Sequence, residues 1–262
     1  MSPKTVREIF EQFSNELKQS LESRDEVIGL VLVGSTADLS RVDQWSDHDF
    51  FVITKEGQAE NMRQDLSWLP NHKSIVLRPR ETDHGLKVLY ADGHVLEFAI
   101  FNDSELELCS ANAYSVSLDR ADIAARMAAI ELRSRPKPVD PVVEFELLLA
   151  SLLIGVGRAR RGEEIIASQH VRSYCVNHAI ALIRAWQQPA RGTENQEDNL
   201  NRFRRFELQY PALGHELNEL QKLDVEQSAM GLLELALRAG AEKLSQRQQD
   251  QAALIRRLLN WS

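Results

Sequence analysis

The sequence predicts two folded parts in series: a mixed α/β domain over residues 1–135 and an all-α helical bundle over residues 136–262. Short β-branched apolar runs, which are typical of buried strands, occur only in the first part. Helical spacing of apolar residues dominates the second part. Between the two lies a segment, residues 135–141, with three prolines in seven residues. Since proline interrupts helices, this segment is the best candidate for a linker.

The elements of the first part follow from the period of their apolar residues. One apolar stripe over residues 4–23 predicts a helix, and residues 58–69 resemble a second, connecting helix. Continuous apolar runs, and a turn that contains glycine, predict strands and a hairpin. The predicted strands cover residues 27–33, 48–54, 74–78, 86–90 and 94–101. We expect these strands to form a mixed sheet with helices on one side.

Every element after the last predicted strand has a helical pattern. A helix over residues 119–134 closes the first part, and a polar loop covers residues 192–199. The helices predicted for the second part cover residues 142–161, 168–187, 198–209, 212–222 and 226–259. We expect this bundle to bind substrate, with the active site in the cleft between the two parts, because ligand sites favour domain interfaces.

Composition restricts the classes of partner. The chain has 262 residues, with 31 Lys and Arg against 39 Asp and Glu, so its formal net charge is −8 at pH 7. A sequence-blind nucleic-acid binder needs a positive surface, so we expect no nucleic-acid partner, whereas cations, including polycationic small molecules, are favoured. No apolar stretch suits a signal peptide or a bilayer span, and two cysteines are too few for a disulfide framework. These features predict a cytoplasmic protein without a membrane partner.

The most informative segment, residues 31–53, runs from an apolar strand through a polar loop into Ser-Asp-His-Asp and a second apolar strand. Because side chains alternate along a strand, Asp47 and Asp49 point to the same side, and His48 faces the other way in a structural role. Adjacent carboxylates repel each other unless a cation neutralises them, and Mg²⁺ prefers such oxygen ligands. In the alternative interpretation the two aspartates only cap the strand.

Gly34 and Ser35 stand directly after the first of these two strands. Glycine lets a backbone approach a phosphate closely, and serine offers a hydroxyl donor. The N–H groups of a helix that starts there would also attract an anion. The pair therefore predicts a phosphate-binding turn next to the two aspartates.

A third carboxylate, Glu97, shares one face of its predicted strand with Val95 and Ala99. An acid within an apolar strand is costly unless it is paired, hydrogen-bonded or bound to metal. We expect strand pairing to bring Glu97 beside Asp47 and Asp49, where it could ligate a metal ion, act as a general base on an acceptor hydroxyl, or do both. The alternative is an acid on an edge strand that faces water.

These residues resemble the mark of the nucleotidyltransferase superfamily that includes DNA polymerase beta: a strand, Gly-Ser, Asp-x-Asp and a third carboxylate on a later strand. The matching residues are Gly34, Ser35, Asp47, Asp49 and Glu97. The chain looks most like the aminoglycoside and lincosamide adenylyltransferases, which are similar in length and follow a catalytic domain with a helical one. The motif covers residues 27–101, and the helical half matches in architecture only. Relatives often carry a glycine in the loop at residues 36–46, and this chain has none there.

The resemblance implies a Mg²⁺-dependent enzyme that transfers a nucleoside monophosphate, AMP from ATP in the first place, to a hydroxyl of a small molecule. An aminoglycoside or related antibiotic is the acceptor class that it suggests, and antibiotic resistance the role. In that case Asp47 and Asp49 hold one metal ion, and Glu97 ligates a second or takes the acceptor's proton. Gly34 and Ser35 position the terminal phosphates.

A triphosphate needs further cations, for which the helical part offers basic residues. We expect Arg158 and Arg172 to bind the nucleotide, although a charge on a helix more often only faces water. Two other interpretations stay open. One is a toxin-type transferase that modifies a protein or tRNA, and the other is a nucleotide-binding module without catalysis.

Overall fold

A computed structural model describes residues 5–135, 137–193, 198 and 200–261. The chain divides after Arg135 into two compact units, which we call the first unit and the second unit. Pro136, within the predicted linker, and most of the predicted polar loop at 192–199 lie outside the described residues. No helix within the described ranges is both long enough and apolar enough to cross a membrane.

The first unit alternates helices and strands as its apolar pattern requires. Helix α1 begins with a capping box between Thr5 and Glu8 and buries Phe10 and Phe13 on the stripe that the sequence predicted. The elements are α1 (Val6–Glu22), β1 (Val27–Val33), α2 (Gly34–Ala37), β2 (His48–Thr54), α3 (Ala59–Gln64), β3 (Ile75–Leu77), β4 (Gly85–Tyr90), β5 (Val95–Asn102), β6 (Tyr114–Asp119) and α4 (Ile123–Ser134).

The strands form one six-stranded sheet in the order β3-β4-β5-β2-β1-β6. β2 and β5 pair in parallel and the other neighbours are antiparallel, so the predicted mixed sheet is confirmed. Helices cover both faces, and the expectation of helices on one side was wrong. Leu30 faces the core that α1 joins, whereas Val31 faces the core that α4 joins. The reason is that β1 is apolar at every position and so has two faces to bury.

Two further predictions for the first unit need correction. Helix α3 ends at Gln64 rather than at residue 69, and Trp68 is buried in the turn that follows it. The sequence analysis missed β6, which pairs with β1, and α4 begins at Ile123 rather than at residue 119. Asp119 accepts hydrogen bonds from the first backbone N–H groups of α4 and so ends the strand and starts the helix.

The second unit is helical throughout its regular elements, as predicted. Its elements are α5 (Pro141–Arg160), α6 (Glu164–Gln169), a π-helical turn (His170–Cys175), α7 (Val176–Trp186), α8 (Phe206–Gln209), α9 (Pro211–Leu220), α10 (Val225–Ala239) and α11 (Gln246–Leu259). Its core forms around α5, whose Phe145, Leu148 and Leu152 are fully buried. Asp140 caps this helix, and Pro141 occupies its first turn, where a missing N–H costs nothing.

The helix boundaries in the second unit differ from prediction at two places. The single helix expected over residues 226–259 is two helices, because α10 ends at Ala239 with Gly240 as its C-cap, and Ser245 starts α11 with a new capping box. Of the helix expected over residues 198–209, only α8 is helical among the described residues. Periodicity alone does not reveal these stops, because the apolar spacing continues across them.

Candidate active site

Strand pairing brings the three predicted carboxylates together at one end of the sheet. Asp47 immediately precedes β2, and Asp49 on β2 lies directly opposite Glu97 on β5 in the parallel register. One carboxylate oxygen from each of the three lies within 4.8 Å of the other two. The expected juxtaposition of Asp47, Asp49 and Glu97, which we call the acidic triad, is therefore present.

Gly34 is held against this triad by the antiparallel pairing of β1 with β2, in which Val33 lies opposite Asp49. Its φ is +59°, a left-handed conformation that glycine adopts without strain. A Cβ placed on Gly34 would collide with the carboxylate of Asp49. Glycine is thus required here twice, by the backbone conformation and by the close approach of the acid.

The next two residues tie the turn to the strand that carries the acids. The hydroxyl of Ser35 donates to the backbone carbonyl of Asp47 at 3.4 Å. The backbone N–H of Asp49 donates to the side-chain oxygen of Thr36 at 2.8 Å, and Thr36 is only 3% exposed. The sequence analysis missed Thr36, although its place directly after Gly-Ser was the available signal.

Lys87 on β4 is a second residue that the sequence analysis missed. It lies opposite Glu97 in the antiparallel register, with its Nζ 3.6 Å from Glu97 and 2.8 Å from Glu81. The hydrogen bond to Glu81 and the charge of Glu97 raise the pKa of Lys87 above its ordinary value. The sequence signal for Lys87 was a single lysine between Leu86 and Val88, since alternation along the strand places it on the exposed face.

Glu97 is more exposed than the sequence suggested. Its side chain is 48% exposed, so the expected cost of burying an acid does not apply. The alternative interpretation placed Glu97 on an edge strand, and this was wrong, because β5 lies between β4 and β2. What makes Glu97 notable is its position opposite Asp49, where two like charges on neighbouring strands repel each other.

His48 lies between the two aspartates but faces the other side of the sheet, as predicted. It is 1% exposed, its ring stacks on Phe10, and its two ring nitrogens meet His94 Nε2 at 2.7 Å and the Phe10 carbonyl at 3.1 Å. Burial, with a smaller contribution from His94, lowers the pKa of His48 to about 3. His48 is therefore a neutral core residue that anchors the start of β2.

The two arginines expected to bind nucleotide lie in the second unit. Arg158, near the end of α5, pairs with Glu163 at 2.6 Å. Arg172, in the π-helical turn, donates to the backbone carbonyl of Leu223 at 2.8 Å. Both guanidinium groups thus contact the protein itself, and their Nε atoms are buried without a hydrogen-bond partner. Nucleotide binding by these arginines stays a prediction.

The acidic triad suits a hard divalent cation. Oxygens that share one Mg²⁺ lie up to about 4.2 Å apart, so small side-chain rotations bring oxygens within 4.8 Å of each other onto one ion. The donor set is all carboxylate oxygen, which Mg²⁺ prefers over nitrogen or sulfur. The described residues therefore fit a divalent cation beside a glycine turn.

The solved structures to which the chain is similar include nucleotidyltransferases. An aminoglycoside 6-adenyltransferase from Bacillus subtilis is 13% identical, with 99% of this chain and 100% of that chain covered and a TM-score of 0.35. A nucleotidyltransferase-like protein from Exiguobacterium sibiricum is 15% identical, with 88% and 77% covered and a TM-score of 0.35. The CdnC:HORMA-deltaN complex of E. coli MS115-1 matches at 13% identity, with 99% and 92% covered and a TM-score of 0.36.

No protein-family model matches the chain, and no curated protein does. The likeness to these solved structures concerns the fold alone. The function is therefore argued from the residues of the site.

Proposed function

We propose that the protein is a Mg²⁺-dependent nucleotidyltransferase that moves AMP from ATP to a hydroxyl of a small molecule. The observation that carries the proposal is the acidic triad beside the Gly34 turn, with carboxylate oxygens within 4.8 Å of one another. Three acids so close repel each other, and a divalent cation would relieve that repulsion.

In this proposal Asp47, Asp49 and Glu97 hold the metal. Bound there, Mg²⁺ would neutralise charge on the triphosphate and make the acceptor hydroxyl more acidic. Gly34 has no side chain that would keep a phosphate away from the backbone. The Ser35 hydroxyl, whose hydrogen bond to the Asp47 carbonyl is long at 3.4 Å, can rotate and donate to a phosphate oxygen instead. Glu97, the most exposed of the three acids, is the group that takes the hydroxyl proton as the oxygen attacks the α-phosphate and pyrophosphate leaves.

The acceptor that we propose is a small molecule with hydroxyl groups, such as an aminoglycoside or a related antibiotic. The net charge of −8 favours a polycationic acceptor over a nucleic acid. Arg158 and Arg172 are the residues that we propose for the nucleotide, since a triphosphate needs positive charge beyond that of the metal. Modification of a small antibiotic would make the protein a resistance enzyme.

Calorimetric titration of ATP, GTP, CTP and UTP with Mg²⁺ tests the donor half of the proposal. We expect ATP to bind in the micromolar range, and Asp49→Asn to abolish the part of the binding that depends on Mg²⁺. Asn keeps the backbone bond to Thr36 and removes only the charge, so folding should persist. Absence of binding by every nucleotide would contradict the proposal and favour a module without catalysis.

Pyrophosphate release, measured with panels of acceptors, tests the acceptor half of the proposal. An aminoglycoside that stimulates release, together with a product heavier by one AMP, supports the proposed acceptor class. Release stimulated only by tRNA or by a protein would replace it with the toxin-type transferase.

A further inference from the structure

The first unit contains a cavity of about 440 Å³, which we call the α1 pocket. Helix α1, the loop before β2 and the turn between β4 and β5 line it. His48 lines it as well, and since side chains alternate along β2, the pocket lies on the face opposite Asp49. It is therefore separate from the acidic triad.

One wall of the α1 pocket is apolar. Phe10 and Phe13 lie deep in it, and Ile9 and Val6 remain 56% and 46% exposed on the same side of α1. Exposed branched side chains at the edge of a cavity lose contact with water when an apolar body covers them. This wall favours a ligand with an apolar part.

The pocket also carries negative charge. Glu16, Asp43 and Asp92 line the pocket, and its described lining includes no lysine or arginine. Asp43 accepts the Trp45 backbone N–H and the Ser46 hydroxyl, and Asp92 accepts the His94 backbone N–H, which leaves further lone pairs on each carboxylate. The pocket thus offers negative charge without an internal counter-charge on its walls.

The histidine pair at the base of the pocket adds another acceptor. The Phe10 carbonyl can only accept, so the neutral ring of His48 must carry its proton on Nε2. Its Nδ1 then accepts from His94 Nε2 at 2.7 Å, and the lone pair of His94 lies on Nδ1. His94 lines the pocket, so its Nδ1 is a further acceptor for a ligand that reaches it.

From these observations we infer that the α1 pocket binds a small organic cation, a primary ammonium on an apolar ring or chain. The ammonium supplies the N–H donors that Asp43, Asp92 and His94 accept, and the apolar body covers Ile9 and Phe13. This site goes beyond the proposed transfer reaction, and its occupation does not depend on the acidic triad.

Tryptamine and tryptophol are a matched pair of probes, because they share the indole and differ in an ammonium against a hydroxyl. Calorimetry on the full chain at neutral pH should show tryptamine binding, with tryptophol weaker by about tenfold, because hydrogen bonds to a charged group are the stronger ones. Added salt should weaken tryptamine and leave tryptophol nearly unchanged. These comparisons use the native protein and need no variant.

Substitutions then locate the site. Asp43→Asn together with Asp92→Asn should weaken tryptamine by about tenfold or more, while both amides still accept the local backbone bonds. Asp83→Asn, an exposed acid outside the pocket, is the matched control, and circular dichroism confirms that each variant folds. Asp49→Asn should bind tryptamine as the native protein does, which separates this site from the proposed active site.

Three results would overturn the inference. The first is absence of tryptamine binding up to about 10 mM, which is weaker than a specific site allows. The second is equal affinity for tryptamine and tryptophol, and the third is native affinity in the Asp43/Asp92 double variant.

Discussion

The two units differ in one group of acidic residues. In both units surface carboxylates pair with cations of the same unit, as Glu107 does with Arg126 in the first and Glu163 with Arg158 in the second. The first unit also holds three carboxylates that converge on one another, of which Glu97 lies 3.6 Å from Lys87.

We interpret the paired acids as contributors to stability and the acidic triad as the proposed metal site. A paired surface acid contributes about 0–1 kcal/mol to stability and can be replaced at little cost. Converging acids repel one another, and the proposed metal ion would relieve that repulsion. The predictions below test this contrast, from the largest expected effect to the smallest.

Glu97→Gln should lower the rate of pyrophosphate release by about a thousandfold, because metal and general-base roles are each worth several kcal/mol. Glu81→Gln is the matched control, since Glu81 contacts the same lysine and is equally exposed, at 48%, but lies outside the triad. We expect near-native rates for it. Equal losses in the two variants would mean that Lys87, rather than the triad, is what the substitutions disturb.

Stability should fall as pH is lowered from about 6.5 toward 3, and His48 is the reason. The pKa of His48 is about 3 in the folded state, against an ordinary value of 6.5. Between these two pH values the unfolded chain therefore binds a proton that the folded chain does not. Each pH unit within the range should cost about 1.4 kcal/mol of unfolding free energy from this group.

Urea unfolding at several pH values measures this effect. His48→Gln should flatten the acid side of the stability profile, and His215→Gln, at an exposed position of the second unit, should leave it unchanged. An unaltered profile in His48→Gln would assign the acid sensitivity to other groups.

Thr36→Val should destabilise the first unit by about 1–3 kcal/mol, because it removes the acceptor of the Asp49 N–H and leaves that donor unsatisfied. Valine matches threonine in shape, and Thr36→Ser, which keeps the hydroxyl, is the control. Urea unfolding measures the stability, and calorimetry of Mg²⁺-dependent ATP binding measures the triad. Native stability in Thr36→Val would show that water replaces the lost acceptor.

Arg158→Ala and Arg172→Ala should each weaken ATP by about tenfold if their guanidinium groups contact phosphate. Arg161→Ala is the control from the same region, since Arg161 is 60% exposed and also faces Glu163. If neither variant changes the affinity, these arginines belong with the paired charges that only serve the second unit.

The sequence was most informative where local pattern and chemistry coincide. Asp47 and Asp49 were predictable because alternation along a strand is a local property, and Gly34 and Ser35 because they end a strand that is apolar at every position. The mixed sheet and the helical second unit were predictable for the same reason, since both follow from the local period of the apolar residues. The helix stops at Gly240 and the strand at Tyr114 were missed, since apolar spacing there is equally compatible with another element.

By itself, then, the sequence determined which acids could act together and which turn lies beside them. Only the tertiary structure decided that β5 runs parallel to β2 with Glu97 opposite Asp49, that Thr36 holds the backbone of Asp49, and that the β4–β5 turn brings His94 to His48. Strand order and register depend on loops and on the packing of both faces of the sheet, which spacing along the chain does not encode. The α1 pocket is a product of that packing, since its walls come from four segments far apart in the chain.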